Sequence, residues 1–393
     1  MRLGFCQDAF SIHLLFIPHF LCYHFGAMSE LVLYRKHRPR SFDEVAGQRH
    51  VTDPIQNAIR MNRAAHAYLF SGPRGVGKTT VARLIAKALN CSGEKKPCNE
   101  CSLCAAFNEG RAIDVIEIDA ASNRGVDDVR DLREGVRHVP TQGKYKTYII
   151  DEVHQLSKDA FSALLKTLEE PPPHAVFILA TTEFDKVLPT VVSRTQHYDF
   201  RRPGVQEISA RLLGIAKKER VDLDEDGARL IALSAEGSYR DAESILGAVM
   251  ASEDKKITRR EVEHTLGLPR RQAAKDMFAY IAKKNVPAAL ALAQDLHKSG
   301  DDLAYFSKLL VGYFRAAMFL KADPALKRFV EAEFLPDECA HIAEHLPLFG
   351  AGELSRSIRV ISQNMSQFKK NPIPQLPLEL SVIELAARGE AVS

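Results

Sequence analysis

The stretch Ala67–Leu89, AYLFSGPRGVGKTTVARLIAKAL, reads as a strand, a glycine loop and a helix in direct succession. Its middle, Gly72-Pro73-Arg74-Gly75-Val76-Gly77-Lys78-Thr79, fits G-x-x-x-x-G-K-[ST], a loop whose backbone N–H groups wrap the phosphates of a nucleoside triphosphate; Thr80 carries it into the helix. Gly72, Gly75 and Gly77 permit backbone angles that side chains forbid, so several N–H dipoles can converge on one anion. Lys78 supplies a point charge for the β and γ phosphates, and Thr79 a hydroxyl for Mg²⁺. The helix that follows turns its positive end toward the ligand. A chance match somewhere in a chain this long has odds of roughly one or two in a hundred on average residue frequencies. The context lowers them further: Tyr68 to Phe70 supply an apolar strand, and Val81, Leu84, Ile85 and Leu89 an apolar helix face.

The chain around this stretch has 393 residues, 46% hydrophobic and 26% charged, which suits a soluble globular protein of two or three domains. Its 53 basic and 50 acidic residues nearly cancel, so any surface for DNA must be a local patch. Seven cysteines, four of them between 91 and 104, do not resemble a secreted disulfide scaffold. A reducing compartment, the cytoplasm, and a bound metal fit better. Residues 1–27 are rich in Phe and His, and their apolar stretch from Ile12 to Phe25 is too short and too polar to span a bilayer. A secretory signal would suit Arg2, Gly26 and Ala27 but would put a triphosphate-binding loop where there is no ATP. The expectation is that Met28 is the start and that 1–27 is a leader outside the native fold.

The basic cluster Arg35, Lys36, His37, Arg38 and Arg40 is either a solvated face or a segment that closes over adenine and ribose, with Pro39 stiffening the turn. Further on, Cys91, Cys98, Cys101 and Cys104 are spaced C-x6-C-x2-C-x2-C. Four thiolates that converge in this way suit tetrahedral Zn²⁺, an iron–sulfur cluster being the alternative. A closed four-thiolate shell leaves no open coordination position. The expected role is structural, worth up to roughly 10 kcal/mol to a small knuckle. Beyond a short strand, Val115 to Ile118, and a helix marked by Val126, Val129, Leu132 and Val136, the strand Tyr148 to Ile150 ends in Asp151 and Glu152. Two carboxylates at that edge, where parallel sheets hold ligands, suit Mg²⁺ held by Asp151 through water and an attacking water polarised by Glu152. A helix from Ser157 to Glu169 and a fully apolar strand, Val176 to Ala180, follow, and the strand ends in Thr181 and Thr182. A hydroxyl there either senses the γ-phosphate or caps a turn. Alternating apolar strands and helices predict an α/β fold, a parallel sheet covered on both sides. After Arg201 only helices are expected, near 206–219, 225–235, 239–251 and 259–266, then Met277–Lys284, Pro287–Ser299 and Leu303–Phe319, and on to Ala387.

These residues, with LLKTLEEPP (164–172), LATTEFDKVLPTVVSRT (179–195) and GSYRDAESIL (237–246), resemble the DNA polymerase III gamma/tau family, ATPases of the bacterial sliding-clamp loader. The resemblance runs from about Leu33 to Gly267 and more weakly onward. It implies an AAA+ fold: an ATPase domain at 28–204 carrying the zinc-binding insertion 91–104, a helical lid at 205–267 and a helical collar at 268–393. It further implies that Lys78 and Thr79 serve phosphate and magnesium, Asp151 and Glu152 hydrolysis, and Thr182 a first sensor. Arg194, in Ser193-Arg194-Thr195, matches the family arginine that enters the neighbouring subunit's ATP site, although Thr195 replaces the usual Cys. Arg240 matches a second sensor carried by the lid. The implied partners are delta, delta-prime and further gamma/tau copies in a pentameric ring, together with the sliding clamp and primed DNA, and no membrane. The sequence to Ser393 carries no Pro-rich or charged tail, so the long extension of some family members is expected to be missing. A delta-prime-like scaffold that does not hydrolyse ATP is disfavoured by the intact Gly77, Lys78, Thr79 and Glu152. Another AAA+ motor, such as a branch-migration or helicase-loading ATPase, is disfavoured by the cysteines.

Overall fold

A computed structural model describes residues 32–122, 132, 134–252, 256–266, 269–350, 352–368 and 371–386. The expected leader, and the part of the expected helix at Val126 and Val129, lie outside them. Five strands make one parallel sheet: β1 Ala67–Ser71, β2 Val115–Asp119, β3 Lys146–Asp151, β4 Ala175–Thr181 and β5 Gln196–Asp199, in the order β2-β3-β4-β1-β5. β1 and β4 are buried along their whole length, as strands covered on both faces must be. The register sets their ends level. Ser71 stands opposite both Thr181 and Asp199, and Asp119 opposite Asp151, so the loops that leave the strands emerge along one edge.

One face of the sheet is covered by the helices Arg49–Arg60 and Lys78–Leu89, whose Val51, Ile55, Ile59, Val81 and Ile85 pack on Tyr68, Phe70 and Ile178. Residues four apart lie on one side of a helix, which is why this pattern in sequence becomes a single packed face. The other face is covered by Lys158–Glu169 through Phe161, Leu164 and Leu168, joined by Leu132 and Val136. Ser157 starts that helix by accepting the Ala160 N–H at 3.2 Å. Each fully buried side chain of this size contributes about 1.5–3 kcal/mol.

Past Arg201 the expectation of helices alone needs correction. Val205–Glu219, Glu225–Ser234, Tyr239–Ser252 and Arg259–Thr265 do share a core of Ile208, Leu212, Ile231, Leu246 and Val262. That group also holds a parallel pair, β6 Asp222–Leu223 with β7 Lys256–Ile257. Two residues are too few to show a period in sequence; tertiary contact creates the pair, through burial of Leu223 and Ile257 in the same core. The helices from Pro269–Ala282 to Leu376–Ala386 form a separate core around Phe278, Phe306, Phe314 and Val382. Its central helix, Leu303–Ala322, is long and apolar enough to cross a membrane by length and composition, but its apolar residues Phe306, Leu310 and Phe314 are buried in this core. Leu335 crosses into the preceding helical group's core, and Asp337 bonds both Arg259 (3.0 Å) and Lys275 (3.3 Å) at the junction.

Candidate nucleotide-binding site and cysteine knuckle

The loop between β1 and Lys78–Leu89 depends on close approaches. A Cβ on Gly72 (φ +134°) would stand 2.4 Å from the Phe200 carbonyl oxygen, and one on Gly75 (φ +76°) 1.9 Å from Ser238 Oγ. Only glycine fits at either place. The second contact joins the loop to the helical group beyond residue 205, and the Tyr239 N–H donates to Gly75 O at 3.0 Å in the same place. Lys78 is buried, and its Nζ donates to Gly72 O (2.7 Å) and Pro73 O (2.8 Å). Burial lowers the pKa of its ammonium, while Glu152 and Asp151 pull the other way.

Against this loop lies a cavity of about 410 Å³ whose wall includes Arg74, Gly75, Val76, Gly77, Lys78, Thr79, Thr80, Asp151, Glu152 and Arg240. Of the residues expected at a nucleotide, Gly72, Pro73 and Thr182 are not on this wall. The Thr79 hydroxyl donates to Asp151 Oδ2 at 2.9 Å, side by side as groups serving one Mg²⁺ need to be. Thr182 instead faces Glu152: its hydroxyl (2.8 Å) and N–H (3.1 Å) both donate to Glu152 Oε2.

The far wall, made by Tyr34, Arg38, Pro39, Val45, Ala46, Arg211, Tyr239 and Glu243, gathers segments from both ends of the first 250 residues. Here the basic cluster divides. Arg38 turns into the cavity, with burial and then Arg83 bringing its pKa down to about 10, and its Nη1 is buried without a hydrogen-bond partner among the described residues. The buried Tyr239 hydroxyl likewise has none there. Such orphans in a cavity wall suit a polar ligand. Lys36 and His37 instead hold Glu219, Lys36 at 2.7 Å. Glu243 is buried and paired with Arg211, its carboxyl pushed up by desolvation. Tyr239 and Glu243 sit one residue before and three after Arg240 on one helix. Their signal was therefore present in GSYRDAES, whereas nothing in the sequence marks Tyr34 or Arg211.

Arg194 lies elsewhere. Partly exposed at the end of the short helix Pro189–Val192, it bonds Glu169 (2.7 Å), Thr190 O (2.9 Å) and Ser193 Oγ (3.1 Å) and does not touch the cavity wall. Thr195 gives its hydroxyl to Val191 O (3.0 Å) and Val192 O (3.2 Å), so a polar residue in the Cys position is satisfied by its own helix.

The four sulfurs of Cys91, Cys98, Cys101 and Cys104 lie within 4.8 Å of one another, with Cys98 and Cys104 4.0 Å apart. A tetrahedron with 2.3 Å metal–sulfur bonds has edges of about 3.8 Å, so the donor set fits one zinc ion. Backbone N–H groups point at the sulfurs, from Cys98 to Cys91 (3.2 Å), Cys101 to Cys98 (3.3 Å) and Cys104 to Cys101 (3.5 Å), an arrangement that stabilises thiolates. Lys87, buried on the helix that follows the phosphate loop, donates to Asn99 and to Asn108 Oδ1 (2.6 Å), tying knuckle to helix.

A parallel sheet in which β4 separates the phosphate-loop strand from the strand ending in Asp151 and Glu152, with a helical group closing the cavity, defines a P-loop protein of the AAA+ class. Residues 47–204 match the family model described as DNA polymerase III, delta subunit, and residues 257–392 the model of DNA polymerase III subunits gamma and tau domain III. The chain is 39% identical to DNA polymerase III subunit tau of Bacillus subtilis, over 91% of this chain and 63% of that protein. It is 35% identical to DNA polymerase III subunit gamma of Buchnera aphidicola, over 81% of this chain and 88% of that one. Among solved structures it is similar to the Bacillus subtilis DNA clamp loader delta protein, covering 86% of this chain and 99% of that one, at 16% identity and a TM-score of 0.41, too distant to bear on function. The chain belongs to the DNA polymerase III gamma/tau family. It spans less than two thirds of the length of the Bacillus subtilis relative.

Proposed function

We propose that the chain is an ATP-hydrolysing subunit of a cytoplasmic clamp loader, in which ATP binding arranges a ring that opens a sliding clamp and primed DNA triggers hydrolysis and release. Residues 28–204 would form the ATPase domain, 205–267 the lid and 268–393 the collar through which the subunits, delta and delta-prime among them, make a pentameric ring. Residues 72–80 would cradle the triphosphate, and Mg²⁺, held by Thr79 and Asp151, would neutralise its charge. Glu152 would polarise the attacking water, with Thr182 orienting it and Arg240 reaching the γ-phosphate from the lid. Zn²⁺ on Cys91, Cys98, Cys101 and Cys104 would be structural.

One observation carries this reading: Arg194 stands partly exposed, outside its own protomer's cavity. A guanidinium supplied from the neighbouring protomer neutralises charge developing on the transferring phosphoryl group, an effect worth roughly 10³ to 10⁵ in rate for comparable fingers. Hydrolysis would then report assembly. The test is ATPase of the chain reconstituted with the other loader subunits, with and without clamp and primed DNA. Stimulation by both supports the reading; indifference to the clamp would favour a different AAA+ motor.

A further inference from the structure

Glu152 has a left-handed backbone, φ +50° and ψ +45°. A side chain held in that region costs of order 1–3 kcal/mol and persists where the surroundings over-determine it. Here the surroundings lie at the end of β4 and include a histidine. His154, two residues past Glu152, has a side chain only 5% exposed and takes no part in the cavity wall. Its Nδ1 pairs with Thr181 Oγ1 at 2.8 Å and stands 3.5 Å from Glu152 Oε2, and its Nε2 lies 3.2 Å from Glu183 Oε1. Thr181 Oγ1 also accepts the Glu183 N–H at 3.0 Å, and Lys186 holds the other Glu183 oxygen at 2.7 Å.

Each ring nitrogen of His154 thus has its close partner at or just past the end of β4. The ring also stands near two carboxylates, one of them the residue read as the base, and it packs on the short segment whose Thr182 already grips that base. We propose that His154 is a positioning residue: through Thr181 and Glu183 it locks the turn after β3 onto the end of β4, so that the Glu152 carboxylate stays aimed at the attacking water. The inference rests on the hydrolytic reading of Glu152.

The test uses the full chain reconstituted with its loader partners, measuring kcat for ATP and, separately, affinity by titration with a fluorescent ATP analogue. His154→Ala is expected to lower kcat by roughly ten-fold or more while affinity stays within about two-fold, the split left by losing orientation rather than binding. His154→Asn, whose amide can keep the Thr181 contact, is expected to recover part of that loss. Glu183→Gln, at an exposed side chain that does not threaten folding, should lower kcat by about three-fold and add little to His154→Ala, as expected of residues acting as one unit. It decides the matter should His154→Ala fail to fold. Unchanged kcat in these variants, or kcat and affinity falling together with Asn no better than Ala, would overturn the inference. Glu152→Gln separates the two levels: if it turns over ATP normally, the hydrolytic reading itself is wrong, whereas an inactive Glu152→Gln beside a normal His154→Ala removes only the histidine's role.

Discussion

At the level of single residues, charge burial decides most of what the site can do. Lys78 is enclosed and, among the described residues, donates to two loop carbonyls, so its charge costs solvation that a triphosphate would repay. Lys78→Ala is therefore expected to weaken ATP binding by roughly ten- to a hundred-fold, the worth of one strong charge-assisted contact, in a fluorescent nucleotide titration. Its melting temperature without nucleotide should be unchanged or higher, since a buried charge has been removed. Arg211 and Glu243 present the opposite case, a pair in which each partner supports the other. Arg211→Ala leaves Glu243 buried and unpaired and is expected to destabilise the region by about 3–5 kcal/mol in urea denaturation; replacing both with apolar residues should be far milder.

Individual elements differ in how far their sequences announce them. β1, β3 and β4 are apolar runs that stop at Gly72, Asp151 and Thr181 respectively, and burial on both faces accounts for the absence of alternation, so they were legible, as was the convergence of four cysteines from their spacing. β5, Gln196-His197-Tyr198-Asp199, was not: it is an edge strand whose side chains are mostly exposed, created by pairing with Tyr68–Ser71 rather than by any pattern of its own. Asp114 was also passed over, although it fixes the approach to β3. Its buried carboxylate accepts N–H bonds from Thr141, Gln142 and Gly143, each at 2.7 Å; desolvation alone would raise its pKa, but these donors hold it below the ordinary carboxylate range. A depressed native pKa gives stability that is present above the unfolded value, about 3.9, and is lost as pH falls through the native one. Amides 141–143 should accordingly be protected from hydrogen exchange at neutral pH, exchange faster in Asp114→Ala, and lose the difference between the two proteins in acid. The knuckle is an element of the same kind, held by sulfur rather than by a core. Purified protein is expected to carry about one zinc per chain, and chelation or Cys101→Ser should release it and lower the melting temperature, with a loss of up to roughly 10 kcal/mol locally.

For the molecule as a whole, the cavity is a junction rather than a property of the sheet. Tyr34 and Arg38 come from before the sheet, and Arg211, Tyr239 and Glu243 from the helical group after it. That group is bound to the phosphate loop through Gly75 and to the C-terminal helices through Arg259, Leu335 and Asp337. Apart from the stretch around Arg240, implied by the family resemblance, and the basic cluster holding Arg38, this junction has no mark in the sequence, because residues so far apart share no pattern until the chain is folded. The cation proposed to complete the chemistry lies outside the cavity wall, partly exposed and paired with Glu169. The most direct test compares ATP turnover by the isolated chain, the reconstituted ring and a ring carrying Arg194→Ala. The account predicts slow turnover by the isolated chain, a large gain on assembly, and loss of roughly 10³-fold in the variant with ATP still bound. An isolated chain as fast as the ring, or a variant ring with undiminished turnover, would contradict it.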